Sequence, residues 1–172
     1  YAVGGSIRDL FMNKSTRGWD FTTSAKPEEI LRVFPDSFYD NQFGTVGIKI
    51  YKSANDESAN KEIADIYEIT TYRSEEGYAD HRHPDTIRWG KALEEDLSRR
   101  DFTINAIAFN GKELIDPFHG TKDIEAKTIK AVGDPARRFT EDALRMMRAV
   151  RIASELGFMI EPTTGAAIKQ NA

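Results

Sequence analysis

A strand-sized run holding a single carboxylate, Trp19-Asp20-Phe21-Thr22-Thr23, follows shortly after Gly4-Gly5-Ser6-Ile7-Arg8-Asp9. Together they restrict the start of the chain to a strand, a tight glycine turn, a short helix and a second strand. A Gly-Gly turn lets backbone N–H groups come close to an anion. Arg8 can fork onto phosphate oxygens. Asp20 can hold Mg²⁺, a hard cation that takes oxygen ligands and shares them with substrate phosphates. These residue types suit a metal-bound triphosphate. Two-metal catalysis ordinarily wants a second carboxylate on the same strand face, two residues away. That position is Gly18. Taken alone, 4–9 also reads as an ordinary turn, and one Asp is common at a strand end.

The chain has 172 residues, enough for one domain or one domain and a fragment. Tyr1-Ala2-Val3 reads as a strand already under way rather than a signal peptide. The last residues, 168–172, read as a helix cut short, so a piece of a longer protein is expected. There is no cysteine, hence no disulfide framework and no thiolate zinc site, which suits the cytoplasm. No segment approaches the length of a membrane span. The formal net charge of −4 argues against a dedicated nucleic-acid binder. The distribution says more. Acidic residues gather in 54–68 and 94–96, and Arg gathers in 97–101 and 137–151. Local basic clusters in an acidic protein suit a small polyanion such as a nucleoside triphosphate.

Residues 1–3 and 19–23 read as strands. Ser6 is placed to cap a helix over 7–12, with Asp9 in its first turn. Pro27 opens a helix through 34. Strands follow at 37–39, at 45–51, where Val46, Ile48 and Ile50 alternate, and at 63–71, which pairs back with 45–51 across a polar loop at 53–60. From 72 to 91 the periodicity dissolves, and a stretch this long without structure is usually functional or disordered. Helix resumes over 92–99. A hairpin spans 107–115, a helix 120–127 and a short strand 128–132. The strongest helix covers 140–156 and stops at Gly157. Another covers 162–171. The expected fold class is α+β: a head of mixed or antiparallel sheet with helices over 1–135, then an all-helical segment over 136–172.

Further groups carry chemistry. Glu68 stands near Asp20 as a metal ligand only if 63–71 neighbours 19–23; otherwise it is an exposed strand residue. Asp65 points to the opposite face. Arg99-Arg100-Asp101-Phe102-Thr103-Ile104-Asn105-Ala106 places two Arg, an Asp, a Thr and an Asn at one corner. An arginine there can reach a phosphate and Asp101 can hold the corner; a surface ion-pair cluster is an equal reading. On the helix at 140, Ala143, Met146, Met147, Val150 and Ala153 form an expected buried stripe. Arg145, Arg148 and Arg151 share a broad face, which reads either as a solvated face with a Glu141–Arg145 pair or as a base reader. Cytosine and adenine present an amino donor beside a ring-nitrogen acceptor. Asp142 can accept from the first while Arg145 donates to the second. Uracil and guanine reverse the pattern and leave both side chains unpaired, at a cost of roughly a few kcal/mol. His81, His83 and His119 are spaced for solvated or capping roles rather than for a metal.

In combination these stretches resemble the class II tRNA nucleotidyltransferases (CCA-adding enzymes) and the related bacterial poly(A) polymerases. The matching segments are 4–9, 19–25, 68–73, 78–84, 95–106, 116–120 and 141–151, in the family's order and over nearly the whole chain. The resemblance implies a nucleotidyltransferase-fold head, with residues 136–172 opening a helical neck that is truncated here. It implies that Gly4, Gly5 and Arg8 touch the triphosphate, that Asp20 and Glu68 hold Mg²⁺, and that Arg100, with Arg99, contacts the nucleotide as part of the catalytic set. Asp142 and Arg145 would read the base, with Arg148 and Arg151 beside them. Residues 72–91 would be the loop that helps switch from C to A addition.

The implied activity is template-free addition of C and A, from CTP and ATP, to the tRNA 3′ end. Poly(A) polymerase or A-only addition are alternatives of the same chemistry. A nucleotide- or RNA-binding module without turnover is an alternative of another class. It is favoured by Gly18, which falls where the family carries the first of two Asp.

Overall fold

The structure, a computed structural model, describes residues 1–16, 18–39, 44–52, 62–76, 86–90 and 92–172. β1 (Ala2–Val3) leads into α1 (Gly5–Phe11), and β2 (Asp20–Thr23) returns beside β1. α2 (Pro27–Val33), β3 (Ser37–Tyr39), β4 (Thr45–Tyr51) and β5 (Ile63–Thr71) follow. β6 (Arg73–Glu76) and β7 (Thr86–Trp89) precede α3 (Leu93–Ser98) and a 3-10 turn at Thr103–Asn105. β8 (Ala108–Phe109), β9 (Leu114–Ile115), α4 (Gly120–Glu125) and β10 (Thr128–Ile129) come next. The chain ends with α5 (Pro135–Glu141), α6 (Leu144–Leu156), β11 (Met159–Ile160) and α7 (Pro162–Asn171).

Seven strands form one mixed sheet in the order β3-β4-β5-β2-β1-β8-β9. Only β2 and β5 run parallel within it. This is the α+β architecture expected of the chain. Across the parallel pair, Asp20 stands opposite Glu68 and Thr22 opposite Thr70. Residues in register share a face, so these four look the same way. Trp19, Phe21 and Tyr67 face the other side as an aromatic row, with ring centroids 6.2 and 5.8 Å apart.

The core has two parts. One gathers Ile7, Phe102, Ile104, Ile107, Ile129, Ala149, Ile152 and Phe158, joining α1 and the 3-10 turn to α6. The other gathers Val3, Tyr72, Leu93, Leu97, Ala106 and Val132 beneath β1 and α3. Burying each large apolar side chain contributes roughly 1.5–3 kcal/mol. Gly120 lets α4 sit on the turn before it, since a Cβ there would press into the Thr103 carbonyl oxygen and the Ile107 side chain.

Several expectations are corrected. Ser6 does not cap α1. Gly4, at φ +75°, starts the helix two residues earlier, and the Ser6 hydroxyl donates back to the Val3 carbonyl at 2.9 Å. Asp9 therefore lies beyond the first turn. Residues 72–91 are not structureless throughout. β6 and β7 pair antiparallel over Arg73↔Trp89 to Glu76↔Thr86, and Gly90 N–H donates to the Tyr72 carbonyl at 2.7 Å. The loop expected at 53–60 and the whole resemblance segment 78–84 lie outside the described residues, as do His81 and His83. The helix expected over 140–156 is two helices broken at Asp142, whose φ of −143° is extended. The segment expected to be all helical contains β11, paired parallel with β10.

The buried stripe expected on α6 is also wrong. Met147 and Val150 are 70% and 51% exposed, while Arg145, Ala149 and Ile152 are buried. Arg145 turns inward to Glu141 and the Arg99 carbonyl and Arg148 reaches Asp101, while Arg151 pairs with Glu155 on the same helix, and this leaves Met147 and Val150 facing outward.

Candidate active site

A cavity of about 420 Å³ lies over the end of β2, where the start of α1, the end of α3 and the inner face of α6 meet. Gly4, Gly5, Arg8, Asp20, Arg99, Arg100, Asp142, Arg145, Arg148 and Arg151 all line it. Sequence positions far apart are thus brought together as the arginine clusters suggested. Asp101, Asn105 and Ile152 complete the lining. Glu68 is not part of it, but it stands in register beside Asp20 on the neighbouring strand.

At the glycine end, a Cβ on Gly4 would lie 3.2 Å from Arg100 Nη1 and 3.5 Å from Asp20 Oδ2. The missing side chain leaves a cradle into which both charged groups converge. Arg8 is not loose. It donates from Nε and Nη2 to Asp9 Oδ1 at 2.9 and 2.7 Å and from Nη1 to Asn105 Oδ1 at 2.9 Å. Its remaining N–H groups can meet an anion.

Asp20 keeps much of its surface open, yet partial burial pushes its carboxyl above the ordinary carboxylate value, against the opposing pull of Arg100. A carboxylate whose charge is under-compensated beside an open cradle suits a hard cation. Mg²⁺ is commonly held by one or two carboxylates plus substrate phosphates, so Asp20 with Glu68 beside it fits one such ion. Among the described residues no cluster of three or more Asp, Glu, His or Cys could hold a metal by itself. Gly18 has φ +74° and open space where a side chain would stand.

At the other end, Asp142 Oδ1 accepts from Leu144 N–H at 2.9 Å, which closes the break between α5 and α6. Its Oδ2 lies 3.8 Å from Arg145 Nε. Arg145, only 8% exposed, donates from Nη2 to the Arg99 carbonyl at 3.1 Å and from Nη1 to Glu141 Oε2 at 3.4 Å. Glu141 also accepts from Arg137 and Arg138. Asp142 Oδ2 and the Arg145 Nε edge stand side by side in the cavity lining.

Arg148 donates to Asp101 Oδ2 from Nε and Nη2. Asp101 Oδ1 accepts from Phe102 N–H and from Asn105 Nδ2. A continuous chain thus runs Arg8–Asn105–Asp101–Arg148 across the cavity wall. Arg151 is turned to Glu155, both of whose oxygens accept at 2.8 Å.

The sequence reading gave Asp101 the role of holding the corner but no place in the cavity, left Asn105 without a role, and passed over Asp96. The signal for Asp96 was present: an acid three and four residues before two arginines on one helix.

The architecture is that of a nucleotidyltransferase head. The model of the family described as the poly A polymerase head domain matches residues 1–130, and the chain belongs to that family. A CCA-adding enzyme of Lactobacillus helveticus (strain DPC 4571) is 46% identical over 173 residues, covering 99% of this chain and 40% of the relative. One from Geobacillus kaustophilus (strain HTA426) is 45% identical over 174 residues, with 100% and 40% covered. Among solved structures, the Bacillus stearothermophilus CCA-adding enzyme in complex with CTP is similar with a TM-score of 0.84 and 40% identity, over 100% of this chain and 39% of that one. A tRNA nucleotidyltransferase complexed with a primer tRNA and an incoming ATP analog follows at 0.73 and 29%, with 99% and 46% covered. The chain spans about two-fifths of the length of the curated relatives it matches. No helix among the described residues is long and apolar enough to cross a membrane.

Proposed function

We propose that this chain is the nucleotide-binding and catalytic part of a cytoplasmic enzyme that adds C and A, from CTP and ATP, to the 3′ end of tRNA. The supporting observation is the single cavity that carries a phosphate end, Gly4, Gly5, Arg8 and Arg100, and a base end, Asp142 and Arg145. Residues 1–135 form the catalytic head and 136–172 the start of the neck that selects the nucleotide.

In this reading Arg8 and the Gly4–Gly5 backbone bind the triphosphate, and Arg100 faces the phosphates from the other wall. Asp142 accepts from the base's amino group and Arg145 donates to the ring nitrogen. The tRNA 3′ hydroxyl attacks the α-phosphate in line, the new P–O bond forms as the bond to pyrophosphate breaks, and the hydroxyl proton passes to solvent. Held by Asp20 and Glu68, Mg²⁺ would neutralise charge at the phosphates. Selection needs no nucleic-acid template because the acceptor–donor pair belongs to the protein. Arg148 and Arg151 stand beside that pair.

The test is Mg²⁺-dependent extension of a tRNA lacking its CCA end by the intact protein, with Gly18→Asp in parallel and the products sequenced. Addition of CCA followed by a stop is the expected result. Long A tracts would instead indicate a poly(A) polymerase. A second reading, a binding module without turnover, is favoured by Gly18 in the place of a carboxylate; CTP binding with no extension by either form would establish it.

A further inference from the structure

Asp96 is a charged side chain with no solvent exposure. Its Oδ1 accepts from Arg99 Nε and Nη2 at 3.0 and 2.7 Å. Its Oδ2 accepts from Arg100 Nη2 at 3.3 Å and from the Thr22 hydroxyl at 3.1 Å. Burial alone would raise its pKa, but the Arg99 and Arg100 guanidiniums together hold it below the ordinary value. It is therefore an ionised carboxylate in the interior. Stability is a poor reason for such a group, because apolar residues of similar volume do as well.

Its surroundings suggest another reason. Thr22 lies on the same strand face as Asp20, two residues on. Arg100 stands between two carboxylates: Nη2 donates to Asp96 behind it, while Nη1, which donates to the Asn105 carbonyl at 3.5 Å, converges with Asp20 on the Gly4 cradle in front. Arg100 Nε is buried without a hydrogen-bond partner, so this side chain is not arranged for its own best bonding. Arg99 lies next to it with a like charge that disfavours the Arg100 cation. Freed from Asp96, Arg100 would be repelled by Arg99 and left to the remaining acids around it, Asp20 in front and Asp101.

We propose that Asp96 is a positioning residue that holds Arg100 back from Asp20 and so keeps the Asp20 carboxylate open to a divalent cation. This rests on the proposed function only in taking Asp20 as the metal ligand. It adds that a buried acid on α3 sets how tightly the cation is held.

The test measures Mn²⁺ binding to the intact protein by loss of the free-ion EPR signal, with no RNA and no turnover. Wild type, Asp96→Asn, Arg100→Ala and the double variant are compared. Asp96→Asn is expected to weaken Mn²⁺ binding roughly tenfold. In the Arg100→Ala background the same change is expected to shift it by less than about twofold. An equal loss in both backgrounds, an unchanged affinity in Asp96→Asn, or no Mn²⁺ binding by the wild type would overturn the proposal. Should Asp96→Asn fail to fold, Thr22→Val removes the hydroxyl that reaches Oδ2, and with it the contact to the Thr70 carbonyl at 3.2 Å, and enters the same cycle under the same criteria. If tRNA extension fails while the coupling is present, the function is overturned and this inference stands. If extension succeeds without the coupling, the reverse holds.

Discussion

Arg148 on α6 grips Asp101, 47 residues earlier in the chain, with two hydrogen bonds of 2.9 and 2.7 Å to one carboxylate oxygen. The pair links the base end of the cavity to the corner that also carries Asn105 and, through it, Arg8. Arg148 is half exposed, so its own bond is screened. Arg148→Ala is expected to cost about 1 kcal/mol. Asp101→Ala is expected to cost more, about 3 kcal/mol, because it strands a buried backbone N–H and the Asn105 amide. Urea unfolding of the two variants checks the order; a larger loss for Arg148→Ala would contradict it.

In the proposed function, Asp142 is the acceptor of the base-reading pair. Asp142→Ala should erase discrimination between CTP and UTP, lowering the ratio of their kcat/KM values by roughly 100-fold. Steady-state kinetics with each nucleotide decides this. Unchanged discrimination would remove Asp142 from the base-reading role and leave it as the residue that closes the α5–α6 break.

Gly120 is needed for space rather than for backbone freedom. A methyl group there meets the Thr103 carbonyl oxygen far inside contact distance, so Gly120→Ala must push α4 off the 3-10 turn. A loss of about 2–3 kcal/mol is expected, read as a drop in the urea midpoint. A neutral result would mean that α4 can shift without cost.

The raised pKa of Asp20 has a defined sign. Its folded value lies above its ordinary one, chiefly through burial. The folded state therefore favours the protonated acid, and the ionised form weakens folding as pH rises through the folded pKa. Without metal at pH 7, Asp20→Asn should raise the melting temperature while abolishing extension. At pH values below the ordinary carboxylate range the stabilising effect should vanish. Calorimetry across pH tests this, and a destabilised Asp20→Asn at pH 7 would refute it.

What the sequence made legible followed local rules. The alternation in 45–51 gave β4, the proline at 162 gave the start of α7, and the glycine at 157 marked the end of α6. The relation between Glu68 and Asp20 stayed conditional, because nothing local says that β5 lies beside β2. The outward stripe of α6 was misread for a related reason. An amphipathic pattern assumes apolar residues inward, but Arg145 is buried by bonds to Glu141 and to the Arg99 carbonyl, 46 residues away. The β6–β7 pair escaped notice because residues such as Arg73, Ser74, Glu75 and Glu76 carry no apolar alternation. The site residues were named largely from types and order. Their mutual geometry came from the fold.

The short parallel pair between β10 and β11 changes how selection of a base has to be pictured. Met159 N–H donates to the Lys127 carbonyl and Glu161 N–H to the Ile129 carbonyl, both at 2.9 Å, and the Thr164 hydroxyl accepts from Ala131 N–H. The stretch that carries α5 and α6 therefore leaves the head and is tied back to it at the same place. Asp142 and Arg145 sit on a strut fastened at both ends, not on an arm that swings. In the proposed function, a base whose phosphates rest against Gly4–Gly5 would be measured against that strut. A purine and a pyrimidine differ in reach, so the span between phosphate and base edge would then be adjusted by the nucleotide or the primer.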